Sequence, residues 1–209
     1  MLAKLNTFAL VGIDAILVEV EVDNTPASMP KTVLVGLPEM SVRESIHRIE
    51  RALYNLDYAL PDGRTVVNLA PADLRKDAGA FDLPIALGML VATRQLLPEQ
   101  LQDCATVGEL SLDGGVRPVK GALSMAMALA ARERGFKRLL VPVENAREAA
   151  VVEEIAVYGV GTLNDAVGML SGHLQIDPAP PGIGEITERL NRYDVASPTF
   201  AAKSSPSGR

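Results

Sequence analysis

The sequence predicts an α/β protein of the mixed (α+β) type, in which helices pack on a mixed sheet. A strand over residues 16–22 would place Ile16, Val18, Val20 and Val22 on one face and Glu19 and Glu21 on the other, which is the pattern of a strand with one buried face. After residue 30, strand-like and helix-like segments follow one another along the chain. Asp113-Gly114 lies between two short apolar runs and predicts a tight hairpin, because glycine adopts the positive φ that such a turn needs.

The first half of the chain predicts four strands and two helices. Ser41 and Glu44 form a capping-box pattern that marks the start of the first helix. Asp82 is predicted to cap the second helix, and Pro84 fits its first turn, where a missing N–H costs nothing. The predicted strands are 8–12, 16–22, 32–36 and 65–70, and the predicted helices are 41–56 and 82–96.

The second half opens with the predicted hairpin, which covers residues 107–121 and ends at a glycine that starts a helix. Gly135 is placed to end that helix. The predicted helices are 121–134, 144–154 and 163–170, and the predicted strands are 138–142 and 155–159.

The 209 residues predict one domain, at 1–173, followed by a flexible Pro/Ser-rich tail or linker at 174–209. A short amphipathic piece at 183–193 lies within this tail. Aromatic residues make up only 4% of the chain, so the core must be aliphatic.

Composition excludes several classes of function. A net charge of −6 argues against direct binding to nucleic acid or to an anionic membrane. No apolar stretch is long enough to span a bilayer, and a single cysteine, Cys104, cannot form an internal disulfide. The expected location is the cytoplasm. His47 and His173 are isolated, so no metal site is predicted, and His47 is expected on a helix surface.

Several motifs in order resemble one family of bacterial proteins. They comprise the strings at 8–22, 35–38, 64–73, 76–77, 81–87, 107–121 and 140–145. Together they cover nearly all of residues 1–172 and are similar to the ComM/YifB family, whose members are described as magnesium-chelatase-related or ChlI-like. No chelatase chemistry follows from the residues themselves.

The resemblance implies a Lon-protease-like domain, with the fold named after the second domain of the ribosomal protein S-five. In the family this domain precedes an AAA+ ATPase module, and the assembly resembles a hexameric ring acting in DNA branch migration and natural transformation. ATP and magnesium would belong to that module, so no cofactor is expected in this chain. The expected partners are further copies of the chain and an AAA+ module in cis or in trans, with no nucleic acid or membrane bound by this domain.

Lon-type proteases use a serine nucleophile and a lysine base, and the matching positions here carry neither. The serine position falls on Ala80, and shifting the match gives Gly79 or Ala78, which are equally inert. The lysine position falls on Leu123. Lys120 lies three residues early, and Ser124 has no demonstrated base. The prediction is that this chain has no catalytic residues and is not an enzyme.

Residues 179–186 match the phosphate-binding loop motif weakly. Its lysine position is Glu185 and its hydroxyl position is Ile186, and a carboxylate would repel a phosphate. The segment is therefore predicted to be a linker, and no nucleotide site is expected.

The candidate contact residues are charged side chains of the matching motifs: Lys76, Asp77, Glu109 and Arg117. Lys76 and Asp77 fit equally a contact site and a solvated loop. Glu109 and Arg117 could mark a protomer interface. Asp113 could mark one too, but is at least as easily a turn former. For Asp82, a partner contact is the alternative to the helix cap.

The function predicted from these observations is a non-catalytic domain that serves oligomerisation or regulation of a ComM/YifB-type ATPase ring. One alternative is an ATP-dependent Ser-Lys protease domain. Another is a free-standing module that binds the ATPase ring of a partner.

Overall fold

The structure is a computed structural model that describes residues 1–36, 40–72, 74, 80–132 and 135–181. The strands are β1 (Leu2–Val11), β2 (Asp14–Thr25), β3 (Lys31–Val35), β4 (Arg64–Ala70), β5 (Cys104–Thr106), β6 (Glu109–Leu110), β7 (Val116–Arg117), β8 (Arg138–Pro142) and β9 (Ala156–Val160). The helices are α1 (Met40–Asn55), α2 (Asp82–Ala92), α3 (Ala122–Ala130), α4 (Ala146–Ala149) and α5 (Leu163–Leu170). Short 3-10 helices span Pro98–Leu101 and Val143–Asn145.

Seven strands form one mixed sheet in the order β3-β4-β2-β1-β5-β8-β9. The pairs β1–β2 and β2–β4 are antiparallel, and the other four pairs are parallel. β6 and β7 form a separate antiparallel hairpin. The mixed α/β class predicted from the sequence is confirmed, while the Lon-like assignment stays a prediction.

One face of the sheet, called the front face, carries α1, α2 and α5. Alternation in β2 buries Val18, Val20 and Val22 here and turns the intervening glutamates to the other side. These valines belong to a core cluster that includes apolar side chains of α1, α2 and α5.

The opposite face, called the back face, carries α3 and α4. Its cluster joins Phe8 and residues of β5, β8 and β9 to Met125 and Leu129 of α3 and to the alanines of α4. Leu10 and Leu17 pack at its margin. The helix residues of this cluster are mostly alanines, so the back layer is built from small side chains.

The hairpin forms where it was predicted. The amide of Ser111 donates to the carbonyl of Gly115 at 2.9 Å, and Gly114 has a φ of +84°. Gly121, with a φ of +74°, directly precedes α3, so the prediction of a glycine at the start of that helix is also confirmed.

Several helices are shorter than predicted. α2 ends at Ala92, because Thr93 leaves helical geometry and Arg94 takes a φ of +64°. α3 ends at Ala130, and Glu133 and Arg134 lie outside the described residues. The predicted helix 144–154 is only a 3-10 turn followed by α4. β5 was missed because its three residues are all buried and show no alternation. α1 begins at Met40, so Ser41 lies inside the helix and not at its cap, which corrects the prediction.

The first residues of the predicted tail lie against the domain. The amide of Ala179 donates to the carbonyl of Val157 in β9 at 2.8 Å. Ile176 is half-buried against the front cluster. The boundary at residue 173 stays a prediction, and residues 182–209, with the amphipathic piece, lie outside the described ranges.

Gly88→Ala is expected to destabilise the protein. A Cβ at Gly88 would lie 2.6 Å from Cγ2 of Val22 and 3.0 Å from Cδ1 of Leu5, so α2 would have to move away from the sheet. Overpacking of this kind costs about 1–3 kcal/mol and exceeds the gain in helix propensity of about 0.5–1 kcal/mol. The measurement is the free energy of unfolding in urea, with Ser124→Ala on the half-buried side of α3 as the control. Equal or higher stability of Gly88→Ala would contradict the close packing.

Candidate functional site

The position that resembles a nucleophile site, Ala80, lies just before α2 and is 8% exposed. Its carbonyl accepts a hydrogen bond from the amide of Gly108 at 3.1 Å, and the amide of Leu83 donates to the Gly108 carbonyl at 2.9 Å. These bonds fasten the start of α2 to the segment that follows β5. The methyl group of Ala80 belongs to the back cluster together with Ala122 of α3. The starts of α2 and α3 therefore contribute to one apolar cluster.

The position that resembles the lysine site, Leu123, lies in the first turn of α3 and is half-buried. Its amide donates to Oε1 of Glu148 at 3.2 Å. Asn145 holds the loop that precedes α3 with two hydrogen bonds. Its side chain accepts from the amide of Val119 at 2.8 Å and donates to the Val119 carbonyl at 2.9 Å. Lys120 is exposed in that loop. Sequence reasoning missed Asn145 and Glu148, because their partners lie more than twenty residues earlier, before and at the start of α3.

Asp82 is not the cap of α2, which corrects the sequence prediction. The residue before the helix is Phe81, and it makes no side-chain capping bond. The Asp82 carboxylate, 1% exposed, accepts hydrogen bonds at 3.1 Å from Nε of Arg48 and from the amide of Leu110. It therefore joins α1, α2 and the hairpin. Burial raises its pKa to about 6, although the Leu110 amide and the Arg48 guanidinium act in the opposite direction.

Of the four candidate contact residues, the structure brings together Glu109 and Arg117. They are register partners on β6 and β7, and Oε1 of Glu109 lies 3.4 Å from Nη1 of Arg117. An exposed pair of this kind contributes about 0–1 kcal/mol. Lys76 and Asp77 lie outside the described residues. A role in partner contacts stays a prediction for all four.

Asp113 organises the turn of the hairpin. Its carboxylate accepts hydrogen bonds from the hydroxyl of Ser111 and, at 3.3 Å, from the amide of Gly115. The Ser111 hydroxyl and then the Gly115 amide lower the pKa of Asp113. This geometry agrees with the reading of Asp113 as a turn former.

The outer side of α1 and the hairpin turn enclose an open cleft of about 570 Å³. His47 is exposed on its wall, as predicted. Tyr54 is 61% exposed, and Leu112 across the cleft is 54% exposed. The Arg51 guanidinium lies 5.5 Å from the ring centroid of Tyr54. Sequence reasoning missed Tyr54 and Leu112 because their proximity depends on how the hairpin packs on α1.

Metal binding, membrane-spanning helices and cysteine reactivity were also considered over the described residues. Within it, no three His, Cys, Asp or Glu side chains form a group that could hold a metal ion. No described helix is both long and apolar enough to cross a bilayer. Cys104 is buried, and burial raises the pKa of its thiol to about 12, so the reactive thiolate is suppressed.

Comparison with known proteins identifies relatives for most of the chain. Residues 18–145 match the family described as subunit ChlI of Mg-chelatase. Competence protein ComM of Haemophilus influenzae is 40% identical over 171 residues, which are 82% of this chain and 33% of that protein. The YifB protein of Salmonella typhimurium is 35% identical over 203 residues, 96% of this chain and 37% of its own length. YifB of Escherichia coli is 36% identical over 174 residues, covering 83% and 31%. The chain thus spans about a third of the length of these curated relatives.

The Asp82 carboxyl predicts a specific pH dependence of stability. Its folded-state pKa, about 6, lies above the ordinary value of an aspartate. The folded state therefore binds the proton more tightly, and this contribution to stability is lost as the pH rises from about 4 to 7. For wild type relative to Asp82→Asn, the unfolding free energy is expected to fall by on the order of 3 kcal/mol over this range. Urea unfolding of both proteins at several pH values checks this. A wild-type stability that rises relative to that of Asp82→Asn as the pH increases would contradict it.

Proposed function

Because the chain belongs to the ComM/YifB family of ChlI-type proteins, we propose that it is a non-catalytic, Lon-like domain that serves assembly or regulation of an ATPase ring. The observation that carries the proposal is the apolar pair of positions at the starts of α2 and α3. Ala80 contributes a methyl group to the back cluster, and Leu123 places an alkyl chain where the resemblance requires an amine.

Neither position can perform the chemistry of a Ser-Lys dyad. Alanine has no oxygen to attack a carbonyl, and leucine has no nitrogen to accept a proton. Lys120 stands in the loop before α3, and its ammonium is exposed. The Ser124 hydroxyl has no basic side chain bonded to it among the described contacts.

The proposed role in an ATPase ring draws on the relatives. The matched residues make up only 33% and 37% of these two relatives, which leaves room in them for a nucleotide-binding module. We propose that such a module, in cis or in trans, binds the ATP and magnesium. The name of the Haemophilus relative, a competence protein, supports a parent function in natural transformation. DNA branch migration and a cytoplasmic location belong to the same proposal.

Incubation with an unfolded, fluorescently labelled protein tests the absence of proteolysis. We expect no cleavage by the wild-type chain, with or without ATP. Ala80→Ser should stay inactive as well, because the variant supplies a hydroxyl without a base. Cleavage by wild type that is lost in Ser124→Ala would show a serine hydrolase and overturn the proposal. Cleavage unchanged by that substitution and by protease inhibitors would also overturn it.

Light scattering over a range of protein concentrations tests the assembly role. We expect the mean mass to rise above that of one chain, 22.2 kDa, as the concentration increases. A mass of one chain at every concentration would exclude self-association. Binding of that monomer to a separate ATPase module would then favour the free-standing regulator.

A further inference from the structure

The strand β3 forms one edge of the seven-stranded sheet. It pairs with β4 on one side, and among the described residues no strand pairs with its other side. The amide of Lys31 donates to the carbonyl of Gly63, which directly precedes β4, at 3.1 Å. Because the backbone groups of successive residues in a strand point to opposite sides, the N–H and C=O groups of Thr32 and Leu34 point outward. These two residues therefore present the groups with which a further strand would pair.

A recess of about 300 Å³ lies beside the start of β3, between this strand and α1. Ile46, Leu60 and Pro61 give it apolar walls. Thr32 and Glu50 contribute its polar groups, and Glu50 is half-buried. The recess is thus suited to a side chain with an apolar stem and a polar tip.

The Glu50 carboxylate supplies the negative charge of the recess. Its Oε1 accepts a hydrogen bond from the hydroxyl of Thr32 at 2.8 Å. A hydroxyl carries no charge, and Glu50 takes part in no ion pair among the described residues. A carboxylate can accept about four hydrogen bonds, so Glu50 retains acceptor capacity for a cationic donor.

The cations near the recess are directed elsewhere. Alternation in β3 turns the Lys31 side chain to the back face, because the next residue faces α1. Arg48 is paired with Asp82, and Arg51 lies over the ring of Tyr54. The charge that a side chain entering the recess would meet is therefore that of the Glu50 carboxylate.

The strand edge and the recess meet at Thr32. A residue opposite Thr32 on an added strand would have its side chain on the same face, with the two Cβ atoms about 5 Å apart. That position is next to the Thr32 hydroxyl and within reach of the Glu50 carboxylate for a long side chain. Extended peptides bind sheet edges in this way: main-chain bonds give affinity, and pockets for alternate side chains give specificity. The stem of a lysine or arginine would pack on the apolar walls while its cation bonds to Glu50.

We propose that the β3 edge binds an extended segment of a partner protein, which pairs with Thr32 and Leu34 and places a lysine or arginine beside Glu50. The negative charge of the recess selects this basic occupant. The inference goes beyond the proposed assembly role and does not depend on self-association.

A peptide titration of the full chain tests the proposal. The probe is acetyl-Val-Thr-Lys-Thr-Val-amide, and its control has norleucine in place of lysine, which keeps the stem and removes the charge. NMR should show that the lysine peptide slows hydrogen exchange of the Thr32 and Leu34 amides. The norleucine peptide should bind about fivefold more weakly, as expected for a partly exposed ion pair.

A protein variant and a second pair of peptides test the two parts of the contact separately. Glu50→Gln keeps an acceptor for the Thr32 hydroxyl, and it should weaken the lysine peptide about fivefold without affecting the norleucine peptide. Glu44→Gln, at an exposed site on the same helix and outside the recess lining, is the matched control. Lysine peptides with N-methyl groups at alternate residues, made in both phases, should differ: one phase removes the donors that face β3 and abolishes binding, and the other does not.

Each outcome supports or overturns the contact. If the lysine peptide does not bind, the docking site is wrong, and the assembly role is still decided by light scattering. Equal binding of the norleucine peptide overturns the role of Glu50, and this comparison needs only wild type if Glu50→Gln does not fold. Equal effects of the two N-methyl phases overturn strand pairing. Slow exchange of the Thr32 and Leu34 amides in the dilute chain alone would show that its own residues cover the edge. Exchange that slows as the chain is concentrated would show a second copy there, and either result overturns the partner segment.

Discussion

The complete burial of α2 is the constraint on which the other elements depend. All eleven of its residues are buried, including the ionisable Asp82. The sheet alone can cover only one side of such a helix. α1 therefore packs beside it, and β6 of the hairpin packs at its start. Gly88 brings the helix close to β1 and β2, and the buried carboxylate needs Arg48 and Leu110, because a charge buried without partners costs several kcal/mol.

The starts of α2 and α3 are both held by hydrogen bonds to backbone atoms. Hydrogen bonds between Ala80, Leu83 and Gly108 hold the start of α2 through backbone atoms. Asn145 and Glu148 hold the start of α3, and they too contact backbone atoms there. Neither set of bonds depends on the side chain of Ala80 or Leu123. In our proposal this scaffold serves assembly.

The sequence predicted best the elements that carry a clear local signal, such as an alternation of side chains or a helix cap. β2 shows alternating valines and glutamates, and α5 was predicted at its observed bounds, where Thr162 and Asp165 form a capping box. β5 is too short to alternate, and the segment after β8 forms only a 3-10 turn and the four-residue α4 before β9. Patterns of this kind lie within one segment, so they report little about contacts between segments.

Side-chain partners also divide into local and distant ones, although the sequence analysis predicted no pairing of Glu109 with Arg117. Glu109 and Arg117 face each other because the hairpin register, readable from the turn, sets them opposite. The partner of Asp82 lies 34 residues away on another helix, so a local rule gave a cap instead of an ion pair. The exposed pair of Tyr54 and Leu112 is equally invisible until α1 and the hairpin are placed together.

The contact of Ala179 with β9 has a consequence for the end of the sheet. A strand at the edge of a sheet offers unpaired backbone groups to any extended chain, and this is a common route to aggregation. Here the Val157 carbonyl is already engaged by Ala179. The residues on either side, Pro178 and Pro180, carry no N–H with which to extend a ladder. The proline-rich segment thus terminates the sheet at this position and protects concentrated protein from strand-to-strand polymerisation there.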